Sequence, residues 1–310
     1  MHPDGHHICR LPLSLFILFI GVFCDIFINF GANVKTRLIM KNKLLLLCAM
    51  LLMLFAVPSS AQNVKRAQAF KSGEKLECNF YFNWNFIWVK VGGATLTIND
   101  TVYNGQKAKC MKLLSSTNKR ADSFFRMRDT LMTVFNDDYK PLYYRKASVE
   151  GKKYRLYQVW YDYPDSENVH VSQSYNYNDE PVRFRQDTVQ GPIYDMMSLL
   201  AYARTLDFSS LRKGTRFTFP VATGKRIEPQ HLVFRGTKKT KSDDGNEYNC
   251  LLVSLITEED GEEEEVANFH VSNDRNHLPI LLDLVLNFGS AKARLSHMSG
   301  VLHPVLSVAD

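Results

Sequence analysis

Leu76, Cys78, Phe80, Phe82, Trp84, Phe86 and Trp88 alternate with Glu77, Asn79, Tyr81, Asn83 and Asn85. Period-two alternation places successive side chains on opposite sides of an extended chain. It predicts one long strand over residues 76–88 carrying an aromatic stripe on one face. Gly92-Gly93 reads as a turn or bulge, and residues 94–98 resume as strand. Residues 141–149 and 152–163 flank Glu150-Gly151, a hairpin signature. Further alternating runs are expected at 169–177, 182–185, 215–221, 231–235, 248–257, 266–271, 280–288 and 291–297. Short strands at this spacing argue for a sandwich or barrel.

One segment departs from this period. Ile193, Met196, Met197, Leu200 and Ala203 recur at helical spacing, which predicts one helix of about four turns over residues 192–206. Pro192 suits its first position, and Asp195 suits its first turn through the helix dipole. The expected fold is mainly β: a curved antiparallel sheet forming a barrel, half-barrel or sandwich, with one helix between two blocks of strands.

The first sixty residues read differently. Met40 opens a secretory signal, with Lys41 and Lys43 followed by fourteen apolar residues, 44–57, then Pro58 and the small residues Ser59-Ser60-Ala61 before Gln62. At ~1.5 Å per residue those fourteen cover only ~21 Å, short of a ~30 Å hydrocarbon core. The expected division is residues 1–39 as an upstream extension or apolar segment outside the fold, 40–61 as the signal peptide, and 62–310 as a single exported domain. Its destination would be the periplasm or envelope after cleavage near Ala61. The 38 basic and 32 acidic residues give +6, and five of the basic and two of the acidic precede Gln62, so the domain carries +3. That balance asks for no nucleic-acid partner.

The motifs of common catalysts are missing. There is no G-x-S-x-G elbow, Walker A sequence, dinucleotide fingerprint or H-E-x-x-H pair. Cys78, Cys110 and Cys250 are spaced like buried thiols rather than zinc ligands, although one pair could be bridged. The acidic run 258–265 lacks the spacing of an EF-hand and reads as a hairpin tip turning at Asp260-Gly261. No cofactor, metal or catalytic residue is expected.

Two groups of residues remain as binding candidates. Phe80, Phe82, Trp84, Phe86 and Trp88, with Tyr157, Val159, Trp160 and Tyr161 as a second wall, could line an apolar cavity or fill a core. Asp195, Ser198 and Tyr202 share one helical face and could stand at a pocket mouth or bond neighbouring strand ends, whereas Arg204 points elsewhere. A hydrolase built on Ser198, Asp195 and a distant histidine is a weaker possibility.

Several of these residues also fall in segments that resemble bacterial domain-of-unknown-function family 3108. They are Phe70-x-x-Gly73-Glu74-x-Leu76, Gly92-Gly93-Ala94, Asp195-Met196-Met197-Ser198 with Arg204, and Val271-Ser272-Asn273-Asp274 leading to Leu278-Pro279-Ile280. Val271 replaces an aromatic residue of the family pattern. The likeness spans about residues 70–298. It implies an exported, β-rich envelope protein and supplies no catalytic residues. The functional expectation is a non-catalytic envelope protein holding a lipid or other apolar small molecule, with any envelope protein partner left open. The alternatives are a glycan-binding module using surface aromatics, or a structural or assembly protein.

Overall fold

The computed structural model describes residues 68–84, 87–259, 262–286 and 289–309. The proposed leader, residues 1–39, Phe86 and the Asp260-Gly261 tip lie outside them. The elements are β1 (Glu74–Trp84), β2 (Ile87–Tyr103), β3 (Gln106–Thr117), α1 (Lys119–Asp122), β4 (Met127–Phe135), β5 (Pro141–Glu150), β6 (Lys153–Asp162), β7 (Asn168–Tyr177), β8 (Arg183–Gln190), α2 (Met196–Ala203), β9 (Arg216–Ala222), β10 (Ile227–Lys241), β11 (Glu247–Glu259), β12 (Glu262–Ser272), β13 (Pro279–Leu286) and β14 (Gly289–Ser299). All the strands belong to one antiparallel sheet. Its order runs from β8 back through β1, then β14 back to β9, so the first and last strands meet in the middle.

The sheet curls without closing. Its two ends, β8 and β9, are joined in sequence by the segment that carries α2. Immediately before the helix, Tyr194 bridges Val221 in parallel: its N–H donates to the Pro220 carbonyl and its carbonyl accepts from Ala222. That single bridge covers part of the β9 edge, which would otherwise offer unpaired backbone groups. The β9–β10 turn then reaches the other end of the sheet. Gly224 N donates to Gln173 Oε1 at 3.0 Å, and Lys225 lies 4.3 Å from the Tyr175 ring centroid.

Two packed clusters fill the inner face. One gathers Phe80 and Phe82 with Leu232, Phe234, Leu251 and Val253, against Leu199, Leu206 and Phe208 from α2 and the chain after it. The other, around Phe70, Leu76, Phe135 and Tyr248, also takes in Ile193, Met197 and Ala201. The C-terminal tail seals this second cluster by extending the ladder of β11, with Asn249 N donating to the Ser307 carbonyl and Ala309 N to the Glu247 carbonyl.

Several expectations are corrected. The stripe from Leu76 to Trp88 is a hairpin, with Trp84 paired to Ile87 and Asn83 to Trp88. Alternation alone cannot see where a chain turns back, because the period continues on both sides. Helix α2 has two turns rather than four: Asp195 is its N-cap, and Pro192 precedes it. A second helix, α1, and strands β3 and β4 were not anticipated. The Asn104-Gly105 turn before β3, with φ of 48° and 78°, has the primed-turn signature that could have revealed it.

Gly92-Gly93 lies inside β2, next to a bulge between Phe80 and Tyr81 of β1. A Cβ on Gly92 would run into the Ser116 carbonyl, and one on Gly93 would stand 2.7 Å from the Cys78 carbonyl oxygen. Gly92→Ala is therefore expected to cost about 1–3 kcal/mol by overpacking against backbone. Urea unfolding would check it; an unchanged midpoint would show that the strands separate freely.

Candidate functional site

The predicted binding residues are scattered. Phe80 and Phe82 are buried in the first cluster. Trp88 sits on β2, 38% exposed, with Lys292 Nζ 4.5 Å from its ring centroid. Trp160 faces away from Tyr157, Val159 and Tyr161: those three are buried, whereas Trp160 is half-buried and packs 5.8 Å from Tyr143. The proposed second wall is thus split by the strand period, and Trp160 belongs to the outer surface.

Asp195 and Ser198 come together at the start of α2, whereas Tyr202 lies near its other end and packs against the first cluster. Asp195 Oδ1 accepts from Met197 N and Ser198 N at 2.9 and 2.8 Å, and Oδ2 accepts from Thr133 Oγ1 at 2.9 Å. Asp195 N in turn donates to Ser198 Oγ at 2.9 Å, completing a capping box. Tyr202 packs at a tilt on Tyr194, with centroids 5.0 Å apart. Both Asp195 and Ser198 are fully buried. Burial raises the Asp195 carboxyl to about 6, against the opposing pull of its hydrogen bonds. The serine hydroxyl is engaged by the helix start, and histidines bond elsewhere: His231 with Thr218, His270 with Thr240, and His277 with the Arg204 carbonyl. This group holds α2 against β4.

Two of the other quoted segments, Phe70–Leu76 and Val271–Ile280, meet Arg204 at the opposite end of α2. Arg204, the C-cap, pairs with Glu74 through Nη1–Oε1 at 2.6 Å and Nη2–Oε2 at 3.1 Å, both side chains being almost wholly buried. Its Nη2 also donates to the Asn276 carbonyl at 2.9 Å, and its guanidinium lies 5.1 Å from the Phe70 ring centroid. Asn276 is held by Asp274 and by the tail, donating to the His303 carbonyl and accepting from His303 N. One charged junction therefore ties the helix end to the N-terminal strand, the β12–β13 turn and the tail. Arg204 was read as pointing away from Asp195, and it does.

The sequence did not reveal a polar wall inside the curl. Strand β5 turns Tyr144, Lys146, Ser148 and Glu150 inward, and β6 turns Arg155 and Tyr157 inward. Register places Ser148 between Asp129 of β4 and Arg155, and Lys146 beside Tyr157. Arg155 Nη1 meets Glu150 Oε2 at 2.6 Å in a buried ion pair, and Lys146 Nζ lies 5.4 Å from the Tyr157 ring centroid. The Ser148 hydroxyl is fully buried and has no hydrogen-bond partner. A void of about 10 Å³ beside Lys146 and Gln230 is at the lower limit for one water. Towards β8 the wall opens: Tyr175 and Tyr177 are half-buried, while Arg183 and Arg185 are exposed. On β5 both faces carry polar residues, so alternation could not say which face turned inward.

Cys78, Cys110 and Cys250 are free. Burial pushes the Cys78 thiol up to about 12 and the Cys250 thiol to about 11, so neither is a ready nucleophile. Among the described residues no group of three His, Cys, Asp or Glu side chains could hold a metal.

Comparison with solved structures finds a similarity to the crystal structure of a β-barrel-like protein of domain of unknown function DUF1849 from Brucella abortus. The two share 10% identity, with 74% of this chain and 98% of that chain covered and a TM-score of 0.49. No curated protein matches. The profile of the family described as protein of unknown function, DUF3108, matches residues 78–296, more than half of the chain. With that match, the chain belongs to the DUF3108 family.

Proposed function

We propose that the protein is an exported, non-catalytic binding protein of the cell envelope, taking an amphipathic ligand such as a lipid against the inner face of its sheet. The observation that carries this reading is the division of that face. The inner side of β1 and β10–β12 is largely apolar, whereas β4–β6 present Asp129, Lys146, Ser148, Glu150 and Arg155, with the buried Ser148 hydroxyl hydrogen-bonded to nothing. Burying a polar group without a partner costs free energy, and a ligand head group would supply the missing partner. A mixed-charge wall suits a zwitterionic or hydrogen-bonding head.

The acyl part would lie against the first cluster, where Leu199, Leu206 and Phe208 now stand. Helix α2 is too short to be stable by itself and depends on packing, so exchange of that segment for an acyl chain is physically reasonable. Burial of acyl surface at ~25 cal/mol per Å² would drive the exchange.

The test is native mass spectrometry of residues 62–310 purified gently from an exporting host. An added mass that disappears on organic extraction and proves to be a lipid is the expected result. A clean mass, unchanged after incubation with phospholipid, would defeat the reading. Lys146→Met should retain the thermal midpoint while lowering retained ligand by about tenfold, the equivalent of ~1.4 kcal/mol.

A second reading has one observation in its favour. Tyr103, Tyr143 and Trp160 form a half-buried aromatic row on the outer face, with Tyr103 and Tyr143 stacked at 6.2 Å. Such a row could stack on a glycan. Loss of glycan-array binding in Trp160→Ala would favour it over the lipid reading.

A further inference from the structure

Strand β2 begins with large apolar residues that stand exposed among the described residues. Ile87 is 66% exposed, Val89 47% and Trp88 38%. Val89 pairs with the core residue Phe82, so Ile87 and Val89 share its face of the sheet, while Trp88 occupies the other face beside Lys292. The β3–β4 connection adds Phe124, 69% exposed. It is fastened to the same strand, with Asn118 Nδ2 donating to the Lys90 carbonyl at 2.9 Å and Asn118 N to the Val91 carbonyl at 2.9 Å. Around these apolar residues stand four exposed cations: Lys90, Lys119, Arg120 and Arg126.

We propose that this end of the sheet docks onto an anionic lipid bilayer, with Ile87, Trp88, Val89 and Phe124 entering the interface and the four cations meeting the head groups. Two observations select a bilayer over a protein partner. Ile87 and Val89 project from one face of β2 and Trp88 from the other, so a flat partner could cover only one face, whereas an interface surrounds both. The cations complement the negative surface of anionic lipid. The acidic β11–β12 hairpin lies at the same end but four strand spacings from β2, about 19 Å along the sheet. That exceeds the Debye length of about 8–10 Å, so the cationic side faces the membrane first. The inference stands without the ligand reading, and would add to it a place where an amphiphile is exchanged.

Co-sedimentation with vesicles tests the proposal. Both packed clusters lie between Ala69 and Val305, so residues 62–310 carry the core of the described residues and omit the apolar run 44–57 that would bind lipid by itself. The protein is expected to sediment with phosphatidylglycerol–phosphatidylcholine vesicles and to bind pure phosphatidylcholine far more weakly. Ile87→Ser with Phe124→Ser should lower binding at least tenfold at an unchanged thermal midpoint. Lys119→Glu and Arg120→Glu should each lower it about fivefold or more, the equivalent of about 1 kcal/mol per lost basic residue. Failure to bind either vesicle would overturn the proposal. So would self-association that Ile87→Ser with Phe124→Ser dissolves while vesicle binding is absent, which would make this end a protein interface. Loss of a lipid mass in native spectra would leave vesicle binding untouched, so the two readings fail separately.

Discussion

Arg204→Met is expected to lower the unfolding free energy by about 3–5 kcal/mol, because it leaves the Glu74 carboxylate charged, buried and alone. The loss is large for a geometric reason. The guanidinium satisfies Glu74 and the Asn276 carbonyl together, so its removal strands an anion and a backbone acceptor in one place. Glu74→Leu combined with Arg204→Met should recover much of the loss, since replacing both charges removes the uncompensated anion. Recovery should stay incomplete, because the Asn276 carbonyl loses its donor in the double variant as well. Urea unfolding of the two single variants and the double variant measures the coupling. A single-variant cost below about 1 kcal/mol would mean that water reaches the junction, as at an exposed pair.

Asp195→Asn is expected to leave stability unchanged near pH 4 and to raise it near pH 7.5. The carboxyl titrates near 6 in the folded chain and near its ordinary 3.8 when unfolded. A raised carboxyl makes the folded state hold its proton longer, so its contribution is complete below the unfolded value and is lost as pH climbs through the folded one. At about 1.4 kcal/mol per pH unit the loss approaches ~3 kcal/mol. Asparagine keeps the capping acceptor for Met197 and Ser198 without ionising. Thr133, whose hydroxyl now donates to Asp195, can rotate to accept from the new amide. The difference between variant and parent midpoints should therefore open between pH 4 and 7. A constant difference across that range would show that Asp195 titrates normally. A variant that is less stable at every pH would show that the carboxylate charge itself holds the helix start.

The same two residues show how far local reasoning reaches. Asp195 three positions before Ser198 is a capping pattern, and placing the helix start there needs only neighbouring atoms. What Asp195 does beyond that depends on Thr133, sixty-two positions earlier, and on complete burial. Likewise Glu74 and Arg204 both fall in segments that resemble the family, yet the sequence shows no reason for them to meet across 130 positions. Trp160 illustrates the limit in another way. Its alternation with Tyr157, Val159 and Tyr161 was misread because a run of aromatics on adjacent positions hides the period.

Strand content, antiparallel character, an apolar helix between two strand blocks and resemblance to a family without assigned activity were all legible in the chain alone. Each is a property of neighbouring residues: side-chain period, turn chemistry and capping act over a few positions. Tertiary structure alone decided that the 76–88 stripe folds back as a hairpin and that β1 and β14 meet at mid-sheet. It alone turned Lys146, Ser148 and Arg155 inward and left Ile87 and Phe124 outside. These outcomes depend on long-range pairing and on which face of a two-sided polar strand the core covers. A one-residue change of register would exchange every inward and outward side chain, so only the assembled sheet can settle them.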